Sequence, residues 1–239
     1  MSASSATKPR ESLAFALDVS SRAEAESWVS RLSADVGVFK VGLELFVAEG
    51  PAVVRAVTDA GQACFLDLKL HDIPATVGRS AERAAKLGVA YLTMHASAGT
   101  DAVRAAAKAL EGSGTTLLAV TVLTSQSAAD LAAAGVTRSM DAQVLALAEL
   151  AVAAGAGGLV CSPAECASLR SKLGAGPALV VPGIRPEGTD KGDQSRTATP
   201  EAAIRAGASL LVVGRPIRDA ADPNASAKSI LREIERGLG

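Results

Sequence analysis

The run Phe-Leu-Asp-Leu-Lys-Leu-His-Asp-Ile at 65–73 sets three charges, Asp67, Lys69 and Asp72, among leucines. An ammonium held between carboxylates can stabilise negative charge developing on a neighbouring atom and then give up its proton. That joins fixed electrostatics to general-acid chemistry. Side chains alternate along a strand, so Asp67 and Lys69 share one face while Leu66, Leu68 and Leu70 share the other. Lys40, flanked by Phe39 and Val41, is expected to project inward from the preceding strand. Interior charges are costly unless paired, and Lys40, Asp67, Lys69 and Asp72 form an array of alternating sign. A plain ion pair stapling two strands is the bland alternative. Buried pairs are poor stabilisers, and further polar residues converge on the same rim, so the functional reading is preferred.

The elements that must position these charges are short and regular. Eight β-rich runs recur at 13–19, 38–42, 63–70, 89–95, 116–122, 157–161, 178–181 and 209–213. Between them lie Ala-, Leu- and Glu-rich stretches with helical periodicity, such as 22–34, 51–60, 76–87, 101–110 and 141–153. Glycines at 61, 88, 112, 155, 174 and 207 fall where helices should end. Strict β–α alternation implies a parallel sheet covered by helices. Eight units in 239 residues favour a closed (β/α)₈ TIM barrel over an open doubly wound sheet. Residues 12–239 are expected to form one catalytic barrel domain, with 1–11 as a flexible tail. The polar stretch 185–199 is read as a functional loop rather than a boundary.

Active sites of such barrels lie at the C-terminal ends of the strands. Asp18, Lys40, Asp67, Lys69, His95, Thr124, Ser125, Arg185 and Arg215 all fall at or just beyond those ends.

Hydrophobic residues make up 49% of the chain and charged residues 21%, enough apolar material for a core built mainly of Ala, Val and Leu. A net charge of −1 and 3% aromatics give no reason to expect a nucleic-acid or membrane partner. Three cysteines argue against a disulfide framework, and the polar MSASSATKPRES start lacks the apolar run of a secretory signal. The expectation is a cytoplasmic protein. His71, His95, Cys64 and Cys161 lack zinc-like spacing, so no metal is expected. Gly155-Ala-Gly-Gly158 makes no dinucleotide fingerprint, and Trp28 and Cys161 are read as packing residues.

Several motifs together resemble the orotidine 5′-phosphate decarboxylase family. They are Leu17-Asp18, Phe39-Lys40-Val41-Gly42, Asp67-Leu-Lys-Leu-His-Asp-Ile-Pro-Ala-Thr-Val77, Val181-Pro-Gly-Ile-Arg185-Pro, Asp193-Gln194-Ser-Arg196 and Val213-Gly-Arg215-Pro-Ile217. They run in order from about residue 12 to about 230. Asp-x-Lys-x-x-Asp alone is shared with related phosphosugar enzymes; the extension through His-Asp-Ile-Pro-x-Thr-Val and the Gln194 loop narrows the resemblance.

The resemblance implies loss of CO₂ from orotidine 5′-monophosphate to give uridine 5′-monophosphate, the last step of de novo pyrimidine nucleotide synthesis, without metal or organic cofactor. It implies Lys69 as proton donor to C6, kept protonated and oriented by Asp67 and Asp72. Lys40 and Asp18 would contact the ribose, and Thr124 the base, with Ser125 the alternative one residue on. Arg185, Gly214 and Arg215 would hold the phosphate, and Gln194 would bridge phosphate and base. Asp72, Ile73 and Thr76 would enter the partner's site in a homodimer. Two other readings stand beside this one: a Mg²⁺-dependent keto-sugar-phosphate decarboxylase or synthase, and a non-catalytic nucleotide-binding barrel.

Overall fold

Eight short apolar strands pair in sequence order, each parallel to the next, and the last pairs back with the first to close a barrel. In this computed structural model, which describes residues 9–187 and 197–239, they are β1 (Leu13–Ala16), β2 (Val38–Gly42), β3 (Ala63–Leu70), β4 (Tyr91–His95), β5 (Thr116–Val120), β6 (Gly158–Val160), β7 (Ala178–Val181) and β8 (Leu210–Val213). Both faces of such strands are buried, so they read as continuous apolar runs. One face fills the barrel with Ala14, Val38, Phe65, Leu118, Val180 and Leu210. The other, including Leu13, Phe39, Leu66, Leu92 and Leu159, packs against the helices.

The helices are α1 (Arg22–Leu32), α2 (Leu43–Glu49), α3 (Pro51–Thr58), α4 (Pro74–Ala85), α5 (Thr100–Ala109), α6 (Ala128–Ala133), α7 (Met140–Ala153), α8 (Cys166–Leu173), α9 (Pro200–Arg205), α10 (Arg215–Arg218) and α11 (Pro223–Leu238). Their starts carry the expected chemistry. Ser21, Ser139, Thr199 and Asp222 accept amide hydrogen bonds as N-caps, and Pro74 and Pro223 open their helices. Trp28 packs its ring 5.3 Å from Phe15, which meets Phe39 edge-on at 6.4 Å, so it serves the barrel–helix layer. No helix among the described residues is long and apolar enough to cross a membrane.

Several strands end sooner than the sequence suggests. β1 stops at Ala16 rather than 19, and β5 at Val120 rather than 122. β5 ends level with its neighbours, Val120 standing opposite His95 and Val160, whereas β1 stops opposite Lys40 although β2 runs on to Gly42. Leu17 still donates its amide to the Lys40 carbonyl at 2.9 Å, which carries Asp18 onto the rim. At the other end of the barrel, Pro9–Ser12 form a 3₁₀ turn, and Arg10 donates to the carbonyls of Ser33 and Val36. Residues 1–8 of the expected tail lie outside the described residues.

Candidate active site

The charges on β1, β2 and β3 meet as a chain of alternating sign. Lys69 Nζ donates to both oxygens of Asp67 at 2.8 Å. Lys40 Nζ lies 3.8 Å from Asp67 Oδ2 and 3.4 Å from Asp18 Oδ1. Asp67 and Lys40 are each 13% exposed, whereas Asp18 is 53% exposed, so the array runs from the wall outward. Its members are Asp18, Lys40, Asp67 and Lys69. Asp72, expected as the fourth, does not join it within this chain. Asp72 is exposed, and its Oδ1 accepts the amide of Ile73 at 2.6 Å. The reason is geometric: β3 ends at Leu70, and the chain turns outward before α4 begins.

β3 is irregular where it carries the site. Leu66 stands opposite Leu92 and Leu70 opposite Met94, so Asp67, Leu68 and Lys69 together face the single residue Thr93. Lys69 absorbs the surplus with φ of 51°, the one non-glycine residue with positive φ among those described. Such a conformation costs on the order of 1–3 kcal/mol and persists only where the surroundings hold it. Thr93 is fully buried. Its hydroxyl accepts the Lys69 amide at 2.9 Å and donates to Asp67 Oδ1 at 2.9 Å. Nothing in the residue pattern marks this role, because a threonine inside a strand is ordinary; the slip in register is equally hidden.

These groups open onto a cavity of about 280 Å³, near the lower end for small-molecule sites. Phe65, Val120, Val160 and Val212 supply apolar lining, and Asp18, Lys40, Asp67 and Lys69 supply the charge. Thr124 lines the cavity after β5, and Ser125 is not among its lining residues. Arg185, Gly214 and Arg215 line it after β7 and β8. Gly183 has φ of 80°, and a Cβ on Gly214 would sit 3.3 Å from Asp18 Oδ2, so both glycines answer a local need. Arg185 donates its amide to Ala198 at 2.9 Å, tying together the chain on either side of 188–196. Gln194 and Arg196 lie outside the described residues. Ile73 caps α4 and is 66% exposed, and Thr76 lies in that helix's first turn; neither lines the cavity.

Arg218 is a second residue the sequence reading did not single out. Its guanidinium donates to the Asp18 carbonyl at 3.0 Å while bonding the Asp219 carboxylate, and so pins the segment after β1 that carries Asp18. His95 ends β4 with its ring 5.5 Å from that of His71. Burial first, then the neighbouring His71 and Lys69, push its pKa below the usual value, with Asp67 opposing. Cys161 lies against the wall with its sulfur 3.9 Å from that of Cys166. That contact and burial push its thiol up, which suits packing rather than nucleophilic attack.

A model of the orotidine 5′-phosphate decarboxylase / HUMPS family matches residues 11–230. The orotidine 5′-phosphate decarboxylase of Anaeromyxobacter sp. (strain K) is 55% identical over 93% of this chain and 98% of its own length. That of Thermobifida fusca (strain YX) is 50% identical over 94% and 96%. The crystal structure of orotidine 5′-phosphate decarboxylase from Lactobacillus acidophilus superposes with a TM-score of 0.83 at 40% identity, covering 93% of this chain and 98% of that one.

Proposed function

The chain belongs to the orotidine 5′-phosphate decarboxylase / HUMPS family, and on that premise we propose that it converts orotidine 5′-monophosphate to uridine 5′-monophosphate and CO₂, the last step of de novo pyrimidine synthesis. The observation that carries the reading is the Lys69 ammonium, held 2.8 Å from both oxygens of Asp67 at the mouth of the cavity. Breaking the bond between C6 and the carboxylate releases CO₂ and leaves an electron pair on C6. Lys69 donates its proton to that carbon and is later reprotonated from water. Because its charge is in place before the bond breaks, the site pays little reorganisation at the moment of reaction.

The other residues divide the substrate between them. Asp67 orients Lys69, and Lys40 balances Asp67 and Asp18 while contacting the ribose beside Asp18. Thr124 meets the base. Arg185, Arg215 and the backbone at Gly214 hold the phosphate, where forked guanidinium donors suit a tetrahedral anion. By family resemblance Gln194 bridges phosphate and base. Residues 12–239 act as one catalytic domain.

The functional unit is a homodimer in which Asp72, Ile73 and Thr76 complete the partner's site. Two features support it. Asp72 is exposed and its carboxylate accepts the Ile73 amide, and Leu43, Val47 and Ile73 are large hydrophobics 56%, 76% and 66% exposed. A cytoplasmic location goes with this reading.

The test is to incubate purified protein with orotidine 5′-monophosphate and quantify uridine 5′-monophosphate and CO₂ with and without EDTA. Equal formation of both products in either condition is expected. No product, or activity that EDTA abolishes, would overturn the assignment and favour a Mg²⁺-dependent sugar-phosphate reaction.

A further inference from the structure

We propose that Thr93 is a positioning residue for Lys69, holding both its backbone and its carboxylate partner through one buried hydroxyl. The inference rests on the proposed role of Lys69 in decarboxylation.

Three residues of β3 face Thr93 alone, so a regular ladder cannot fix Lys69, which sits at φ of 51°. A lysine gains nothing intrinsic from that conformation; unlike glycine it bears a Cβ that crowds the backbone. Something outside the residue must hold it there. The Thr93 hydroxyl meets the Lys69 amide at 2.9 Å. The same oxygen has one proton, and it is directed to Asp67 Oδ1 at 2.9 Å. Asp67 in turn receives Lys69 Nζ at 2.8 Å. The ring closes: Thr93 to the Lys69 backbone, along the lysine side chain to Asp67, and back to Thr93.

Solvent cannot substitute for this hydroxyl, because Thr93 is fully buried. Without it, the Lys69 amide and Asp67 Oδ1 each lose a partner, and the left-handed turn at Lys69 loses its tether. Relaxation of the strand toward regular pleating would then re-aim the lysine side chain. Thr93 itself does not line the cavity, and the phosphate-side residues follow β7 and β8. Its loss should therefore fall on turnover and spare nucleotide binding.

Valine has nearly the shape of threonine without the oxygen, and serine keeps the oxygen. Thr93→Val is expected to lower kcat about 10- to 100-fold, the effect of losing a hydrogen bond to a charged group, with KM changed less than about threefold. Thr93→Ser is expected to stay within about threefold of the wild type in both. Should Thr93→Val not fold, Thr93→Ala against Thr93→Ser isolates the same oxygen. Hydrogen–deuterium exchange of the Lys69 amide supplies a readout independent of turnover: protection retained with serine and lost with valine or alanine. Unchanged kcat in Thr93→Val, equal losses in serine and valine, or a Lys69 amide equally protected in all variants would overturn the proposal. If the wild type leaves orotidine 5′-monophosphate intact, the functional reading fails alone, and the amide exchange still decides the role of Thr93.

Discussion

Lys40 Nζ stands 3.8 Å from Asp67 Oδ2, whereas Lys69 Nζ lies 2.8 Å from both Asp67 oxygens. Asp67 is thus shared unequally, with Lys69 as its hydrogen-bonded partner and Lys40 as a flanking charge also drawn toward Asp18. Lys40→Ala should therefore weaken both kcat and KM, because it removes the proposed ribose contact and the neutralisation of two carboxylates. The loss in kcat/KM is expected to reach about 10²-fold yet stay smaller than that of Lys69→Ala. Steady-state kinetics on both variants decides this; a silent Lys40→Ala would contradict the shared-carboxylate arrangement.

Complementation tests the dimer. A Lys69→Ala chain and an Asp72→Asn chain are each expected to be inactive alone. In a mixed dimer, one site receives both lesions and the other receives none. Purified heterodimers should therefore show about half the activity of the wild-type dimer, in keeping with interfaces that complete a site across a two-fold axis. Val47→Asp, which puts a charge on the exposed apolar face of α2, should shift the protein toward monomer in sedimentation and lower activity in parallel. Inactive heterodimers would remove Asp72 from the shared site.

The phosphate end predicts a different signature. Arg215→Ala should cut kcat/KM for the phosphorylated nucleotide about 10- to 100-fold, the range for a charge-assisted hydrogen bond. The non-phosphorylated nucleoside should be far less sensitive to the same change. Equal effects on both substrates would place Arg215 elsewhere than on the phosphate.

His95 gives a prediction in pH. Burial and neighbouring positive groups lower its pKa in the folded protein below the ordinary 6.5. Above that value both folded and unfolded chains hold it neutral, and its contribution is complete. As pH falls through 6.5 the unfolded chain takes up the proton first, so stability is lost toward the folded value. The Tm of the wild type should therefore drop between about pH 7.5 and 5, and His95→Asn should flatten part of that drop. An identical pH profile in the variant would show that His95 does not titrate differently on folding.

Much of the architecture was legible because it depends on local pattern. The eight apolar runs and the glycines between them announced parallel β–α units, and every run contains one of the eight strands. Their ends were harder to read. Residues 17–19 and 121–122 have strand-like composition, but where pairing stops depends on the partner strands, which is information held elsewhere in the chain. The same limit explains the site. Alternation put Asp67 and Lys69 on one face, and they do share the cavity, yet they reach it through a slipped register and a left-handed lysine. That geometry depends on Thr93, 24 residues from Lys69. Asp72 looked like part of one array because of its spacing, and only the turn after Leu70 shows that it leaves.

Lys69 is the residue proposed to protonate the carbon from which CO₂ departs. The most direct measurement of this role is the decay of orotidine 5′-monophosphate absorbance in EDTA, comparing the wild type with Lys69→Ala at matched folding. Rapid decay is expected with the wild type and a loss of at least about 10³-fold in the variant, because electrostatic stabilisation and proton donation vanish together. Turnover by Lys69→Ala within about tenfold of the wild type would contradict this role.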